Sequence, residues 1–200
     1  MSRTVVTVGG LAMAVAMALV ARSMRPKQQL ALYGQVPSFK LVDQRGAPYT
    51  SSSMLGHATV VDFVFTRCTS SCPRLTAQMA ELQKRFAKDG SEARLVSFSV
   101  DPDNDTPAVL SDYAARTGAD PARWTFVTGP ADDVIRAVVQ GFKVSAAKIA
   151  RGANDSEVTH GDWFVLVDAA GRIRGYYPTD DERDIEHVIE DAERLATEKP

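Results

Sequence analysis

The chain predicts an α/β layer fold, a central mixed sheet with helices on both faces, and three observations carry that reading. Residues 58–65 and 93–100 are β-branched and aromatic runs of strand length. Apolar residues recur at helical spacing directly after each run. Strand-type and helix-type segments then alternate along most of the chain, the pattern of a layered α/β sheet. A length of 200 residues with 44% hydrophobic and 24% charged content is an ordinary globular composition. A net charge of −2, with no basic run in the body of the chain, gives nucleic acid nothing to bind.

The elements follow in order. Residues 36–42 form a short extended segment, and Gln44-Arg45-Gly46-Ala47-Pro48 reads as a turn. Residues 58–65 are a strand buried on both sides. Pro73 suits the first helical position, which makes Cys72 the expected N-cap. Leu75, Met79, Leu82 and Phe86 then mark one face of that helix as core. Residues 93–100 form the second strand. Asp105 or Thr106 caps a helix that runs to about Thr117, with Pro107 near its start. Residues 123–127 are a short strand, and residues 131–140 a short helix closed by Gly141. Residues 142–158 read as a loop or an extra hairpin, with turn signals at Gly152, Asn154 and Asp155. Residues 163–167, a turn at Asp168-Ala169-Ala170-Gly171, and residues 172–177 form a hairpin. A last helix carries Ile185, Val188, Ile189, Ala192 and Leu195 on one face.

The N-terminal region is different in kind. No charged residue occurs from residue 4 to residue 21, so residues 1–27 read as a membrane anchor, with an uncleaved transmembrane helix preferred to a signal peptide. Residues 28–35 are a linker, and residues 36–200 the folded domain. Arg3 precedes the apolar run while Arg22, Arg25 and Lys27 follow it. Taken alone, those charges would put the domain in the cytoplasm.

Cys68 and Cys72 are the two cysteines of the chain, in Phe65-Thr66-Arg67-Cys68-Thr69-Ser70-Ser71-Cys72-Pro73 at the strand-to-helix junction. Backbone amides at a helix N-terminus favour thiolate over thiol. Thiolate attacks disulfides and also binds soft metals, so the spacing leaves metal binding and redox chemistry equally open. Two cysteines are too few for a disulfide framework in a chain of this length.

Three blocks of sequence carry a resemblance. They are residues 63–73, residues 97–107 with Leu110 and Tyr113, and a His followed by an extended stretch and Asp168-Ala169-Ala170-Gly171-Arg172. In this order they resemble the Sco/SenC family over roughly residues 36–189. The resemblance implies a thioredoxin-like fold and a single N-terminal anchor through residues 4–21. It also implies an inner-membrane, single-pass protein whose domain faces the periplasm or extracytoplasmic side, which we set above the charge argument. Members of the family bind copper and help deliver it to the binuclear copper centre of cytochrome c oxidase. Some are argued instead to reduce the thiols of that site.

On this resemblance the ligands of a copper ion, Cu(I) or Cu(II), are Cys68, Cys72 and His160. Copper(I) is soft and prefers thiolate, with imidazole a compatible third ligand. His160 precedes the strand at 163–167, which in a thioredoxin-like fold lies beside the first helix's N-terminus. No proline occurs between Pro130 and Pro178, so the cis-proline that oxidoreductases of that fold use to receive peptides is missing. Asp101, at the end of the second strand, is a weak candidate for supporting the ligands or docking a partner. Asp105 could share a docking patch with Asp101 but is adequately explained by turn and cap chemistry. Arg67 beside Cys68 would favour its thiolate but reads as a solvated strand-end residue, and His57 and His187 read as surface residues. Many family members carry proline after the first cysteine, where this chain has Thr69.

The first functional expectation is therefore a metallochaperone, not an enzyme. Its partners are the oxidase subunit with the binuclear copper site, and a thiol reductant or another copper chaperone. The second is a thiol–disulfide oxidoreductase in which Cys68 attacks and Cys72 resolves. A third class, a copper-responsive signalling protein, has no separate output motif.

Overall fold

The computed structural model describes residues 29–143 and 163–198. Among them, eight strands form one mixed sheet. They are β1 (Gly34–Gln35), β2 (Lys40–Asp43), β3 (Pro48–Thr50), β4 (Thr59–Val64), β5 (Arg94–Ser99), β6 (Trp124–Thr128), β7 (Trp163–Val167) and β8 (Arg172–Pro178), in the order β1-β8-β7-β4-β5-β6-β2-β3. β4, β5 and β6 are parallel, and the remaining pairings are antiparallel. The helices are α1 (Cys72–Lys88), α2 (Pro107–Thr117), α3 (Ala131–Ile135) and α4 (Glu182–Thr197).

Helices cover both faces of the sheet, as expected. Side chains alternate along each strand, so the two faces collect different sets. One face gathers Val61, Phe63, Val96, Phe98 and Val127 against Val134, Val138 and Phe142. The Phe142 ring lies 5.5 Å from that of Phe63 and 5.1 Å from that of Phe98. The other face presents Val60, Val64, Leu95 and Phe126 toward α1, α2 and α4. There Leu75, Met79, Leu82 and Phe86 of α1 are all buried, as their spacing predicts.

Three local expectations are corrected. Of the extended segment 36–42 only residues 40–42 are strand, in β2, which pairs with β6 and with β3; the pairing with β8 is made by β1, just before the segment. The helix from Ala131 does not continue regularly to Gln140. It changes after Ile135 to a π-helical turn over Arg136–Gly141. The extra residue per turn carries Ala137, Val138, Gly141 and Phe142 inward together, and Pro37 closes on Gly141, where a Cβ would lie 2.5 Å from its Cγ. The N-cap of α1 is Ser71 rather than Cys72, because the Ser71 carbonyl accepts the first helical bond, from Leu75 N–H at 3.0 Å. Of the two residues expected to cap α2, Thr106 does so, its hydroxyl accepting from Val109 N–H at 3.4 Å.

Among the described residues no helix is long and apolar enough to cross a membrane. The apolar run at 4–21, the first residue of the linker, nearly all of the segment 142–158, and His160 lie outside the described residues.

Candidate functional site

The buried strand β4 delivers the chain to the site. At its end, Cys68 N–H donates to the Phe65 carbonyl at 3.1 Å, closing a tight turn over Phe65-Thr66-Arg67-Cys68. The turn carries the Cys68 sulfur back over the start of α1. There Cys72 N–H donates to Cys68 Sγ at 3.4 Å, and Ser70 Oγ lies 3.5 Å from the same sulfur. The first amides of a helix need acceptors, which an N-cap side chain ordinarily supplies. Ser71 makes no such bond, and the Cys68 sulfur takes that place.

The two cysteines are therefore unequal. Neither is in a disulfide; Cys68 is partly exposed and Cys72 buried. Burial acts most strongly on the Cys68 thiol and pushes its pKa up. Hydrogen bonding from the Cys72 thiol, the Ser70 hydroxyl and the amides of Cys72 and Ser70 outweighs it, and brings the pKa down from 9.0 to about 7. A large share of Cys68 is thus thiolate at neutral pH, next to a second sulfur.

Two carboxylates hold the turn from the β5 side. Asp105 is fully buried. It accepts from Thr66 N–H at 3.1 Å, from Thr66 Oγ1 at 2.5 Å and from Ser99 Oγ at 2.6 Å. Asp101 accepts from Arg67 Nε at 3.1 Å and Nη2 at 2.9 Å with one oxygen, and from Asn104 Nδ2 at 2.8 Å with the other. Arg67 is accordingly an ion-pair partner of Asp101 as well as a half-exposed residue. Tyr113 of α2 closes the back of the site through a 2.7 Å bond between its hydroxyl and Thr76 Oγ1. Burial raises the Tyr113 pKa, and the negative charges of Cys72, Asp62 and Cys68 add to that.

The structure thus brings Cys68, Cys72, Arg67 and Asp101 to one corner, at the ends of β4 and β5. Thr66, Ser99 and the latching role of Asp105 escape a reading of the sequence. A serine and an aspartate flanking a strand end look like turn chemistry until the facing strand is known. His57 is half-buried before β4, and His187 is exposed on α4. The described residues contain no cluster of three or more metal-ligating side chains. β7 runs antiparallel to β4 with Val61 opposite Val165, so Trp163 opens β7 at the end of the sheet where β4 leaves it.

Comparison with known proteins bears on this geometry. A family model described as SCO1/SenC matches residues 27–197. The SCO1 protein homolog of Bacillus subtilis is 31% identical over 166 residues, covering 82% of this chain and 84% of its own length. BsSco, a member of the Sco family of cytochrome c oxidase assembly proteins in which a disulfide switch was identified, has a similar structure. It superposes with a TM-score of 0.74 at 29% identity, over 86% of this chain and 100% of that one. Bradyrhizobium japonicum ScoI, solved with copper bound, gives a TM-score of 0.66 at 25% identity, over 80% of this chain and 99% of its own. The α/β fold described above matches these thioredoxin-like structures. With a family match across most of its length and a relative at 31% identity, the chain belongs to the SCO1/SenC family.

Proposed function

We propose that this protein binds one copper ion through Cys68, Cys72 and His160 and passes it to the binuclear copper centre of cytochrome c oxidase. The observation that carries the reading is that Cys68 Sγ is held on the first amide of α1, 3.4 Å from Cys72 N, and beside the Cys72 thiol. A turn already folded offers Cu(I) two soft donors without the entropy of ordering a loop. Copper bound in the ScoI relative supports the same cargo here. His160 is the third ligand in this proposal. It precedes Trp163 by three residues, at most about 10 Å of chain from the site's end of the sheet.

The ligating atoms must be deprotonated before they take the ion. A Cys68 thiol with a pKa of about 7 meets that requirement at little cost. Transfer proceeds by ligand exchange: donor atoms of the oxidase subunit replace the thiolates one at a time, while a thiol reductant keeps both cysteines reduced or another copper chaperone supplies the ion. The protein is then a carrier, not an enzyme. Residues 4–21 tether it to the inner membrane by a single span, with the domain on the periplasmic or extracytoplasmic side.

A second reading has its own support. A partly exposed, low-pKa thiol beside a buried one is the arrangement of a thiol–disulfide oxidoreductase. The Cys68 thiolate would attack a disulfide of the copper-receiving protein, giving a mixed disulfide and releasing one target thiolate. Cys72 would then displace the second target thiolate, leaving a Cys68–Cys72 disulfide and a two-electron-reduced target.

Copper uptake by the reduced chain, native and His160→Ala, separates the two. The chaperone reading expects one equivalent of Cu(I) held tightly, with at least a tenfold loss of affinity in the variant and unchanged thiol exchange. Weak binding, or binding indifferent to His160 alongside reduction of a partner disulfide, would leave the oxidoreductase.

A further inference from the structure

We propose that Asp105 is a positioning residue for the two sulfurs, acting through Thr66 to hold the Phe65–Cys68 turn in its ligand-ready form. This rests on the reading of Cys68 and Cys72 as the working pair, in either of the two functions above. Asp105 sits at the start of α2, 37 residues from Cys68 in sequence, and touches neither sulfur in any hydrogen bond. Its reach is indirect. One carboxylate oxygen accepts from Thr66 Oγ1 at 2.5 Å, and the other accepts from Thr66 N–H at 3.1 Å and Ser99 Oγ at 2.6 Å.

Ser99 is the last residue of β5, and Thr66 is the second residue beyond β4. The buried carboxylate therefore ties the first free residues after one parallel strand to the end of its neighbour. Thr66 lies inside the turn that Cys68 N–H closes on Phe65 at 3.1 Å. Fixing both its backbone amide and its side chain fixes the direction in which Cys68 leaves the turn. Three donors, Thr66 N–H, Thr66 Oγ1 and Ser99 Oγ, converge on the carboxylate, so the site favours a charged acceptor with no hydrogen of its own. An Asn in its place loses the charge and puts an N–H group where an acceptor stood, so a hydroxyl must turn to accept or a bond is lost. Hydrogen bonds to charged acceptors are the stronger class, and breaking a buried one is costly. The backbone of the Asp101 loop is tied to the same point, since Asp101 N–H donates to Ser99 Oγ at 3.1 Å.

Nothing in this arrangement is needed merely to start α2, whose cap is Thr106. Nor does the apolar core require it, since the carboxylate lies at the strand ends and its partners are polar. The position of the bonds, at the root of the cysteine turn, is what identifies their purpose.

The test uses the full chain and its Asp105→Asn, Thr66→Val and Thr66→Ser variants, with Leu195→Ala on α4 as a core-destabilised control. Two quantities are read: the rate at which loaded Cu(I) is lost to a chromophoric chelator, and the equilibrium constant of the Cys68–Cys72 pair with glutathione. Asp105→Asn and Thr66→Val are expected to lose copper at least tenfold faster than the native chain. Their disulfide should also form about tenfold less favourably, some 30 mV for a two-electron couple, because sulfurs no longer held together have a lower effective concentration. Thr66→Ser keeps the hydroxyl and should behave as native. Leu195→Ala should lower the melting temperature without moving either quantity. If Asp105→Asn and Thr66→Val also lower only the melting temperature, the latch is structural and the proposal is overturned. If the native chain takes up no Cu(I), the copper reading fails, and the glutathione constant alone decides the positioning role by the same tenfold criterion. If Asp105→Asn does not fold, Thr66→Val carries the test unaided.

Discussion

Cys68 owes its chemistry to one short stretch of backbone. Its sulfur accepts the N–H that opens α1, which is where helix amides are unpaired and the helix dipole is positive. The consequence is measurable in the reduced, metal-free chain. The rate of alkylation at Cys68 should rise with pH around a midpoint near 7, about two units below an ordinary thiol. Cys72, buried and on the far side of that bond, should react more slowly at every pH. Cys72→Ala removes the thiol donor while keeping the backbone amide, so the midpoint should move upward but stay below 9.0. The sign of the linkage follows from the depressed value. Relative to the unfolded chain, the Cys68 thiolate adds stability that is fully present above about pH 9 and lost as the pH falls through 7. A midpoint at or above 9 in the native chain would show that the sulfur is not held as described.

At the scale of elements, the segment after β6 departs most from its sequence pattern. Val134, Ala137 and Val138 fit a regular helix, yet the chain opens into a π-turn that ends on Phe142 N–H bonded to the Ala137 carbonyl at 3.1 Å. The wider turn lets Phe142 enter the aromatic cluster of Phe63 and Phe98, beneath the strands that carry the site. It also brings Gly141 against Pro37, whose ring cannot rotate away. Gly141→Ala is therefore expected to cost about 1–3 kcal/mol, the range for overpacking a filled site. Chemical denaturation would read it as a lower midpoint with an unchanged slope. A neutral substitution would mean that Pro37 and the loop before β2 yield freely.

For the molecule as a whole, two aspartates of similar design close the two hairpins at its edges. Asp43 Oδ1 accepts from the amides of Arg45 and Ala47 at 2.8 and 3.0 Å. Asp168 does the same for Ala170 and Arg172 at 3.0 and 2.9 Å, and takes Arg172 and Arg174 on its other oxygen at 2.8 Å each. Burial alone would raise both carboxyls; the arginine and amide bonds hold both below the ordinary 3.8. Groups of this sign stabilise the fold fully above about pH 4, and lose that contribution as the pH falls through their depressed values. Acid unfolding should accordingly begin below pH 4. Asp168→Asn should lower stability at pH 7 and flatten the loss on acidification, as followed by circular dichroism. An acid limb identical to that of the native chain would remove Asp168 from the account.

The order of strands and helices, the core face of α1, the hairpin at Asp168 and the pairing of Cys68 with Cys72 were all legible in the sequence. Each is written in local period, turn chemistry or short spacing, which a chain carries in consecutive residues. What only the tertiary structure decided is non-local. Asp105 reads as a cap until β4 and β5 lie side by side and bring Thr66 and Ser99 to its carboxylate. Arg67 reads as solvated until the same parallel pairing sets Asp101 opposite it. The segment 36–42 reads as one extended run until β2 claims only its last three residues, and the pairing with β8 falls instead on Gly34 and Gln35 before it. Periodicity reports which face of an element is buried, whereas the partner of a polar group depends on which strands become neighbours, and no single segment encodes that.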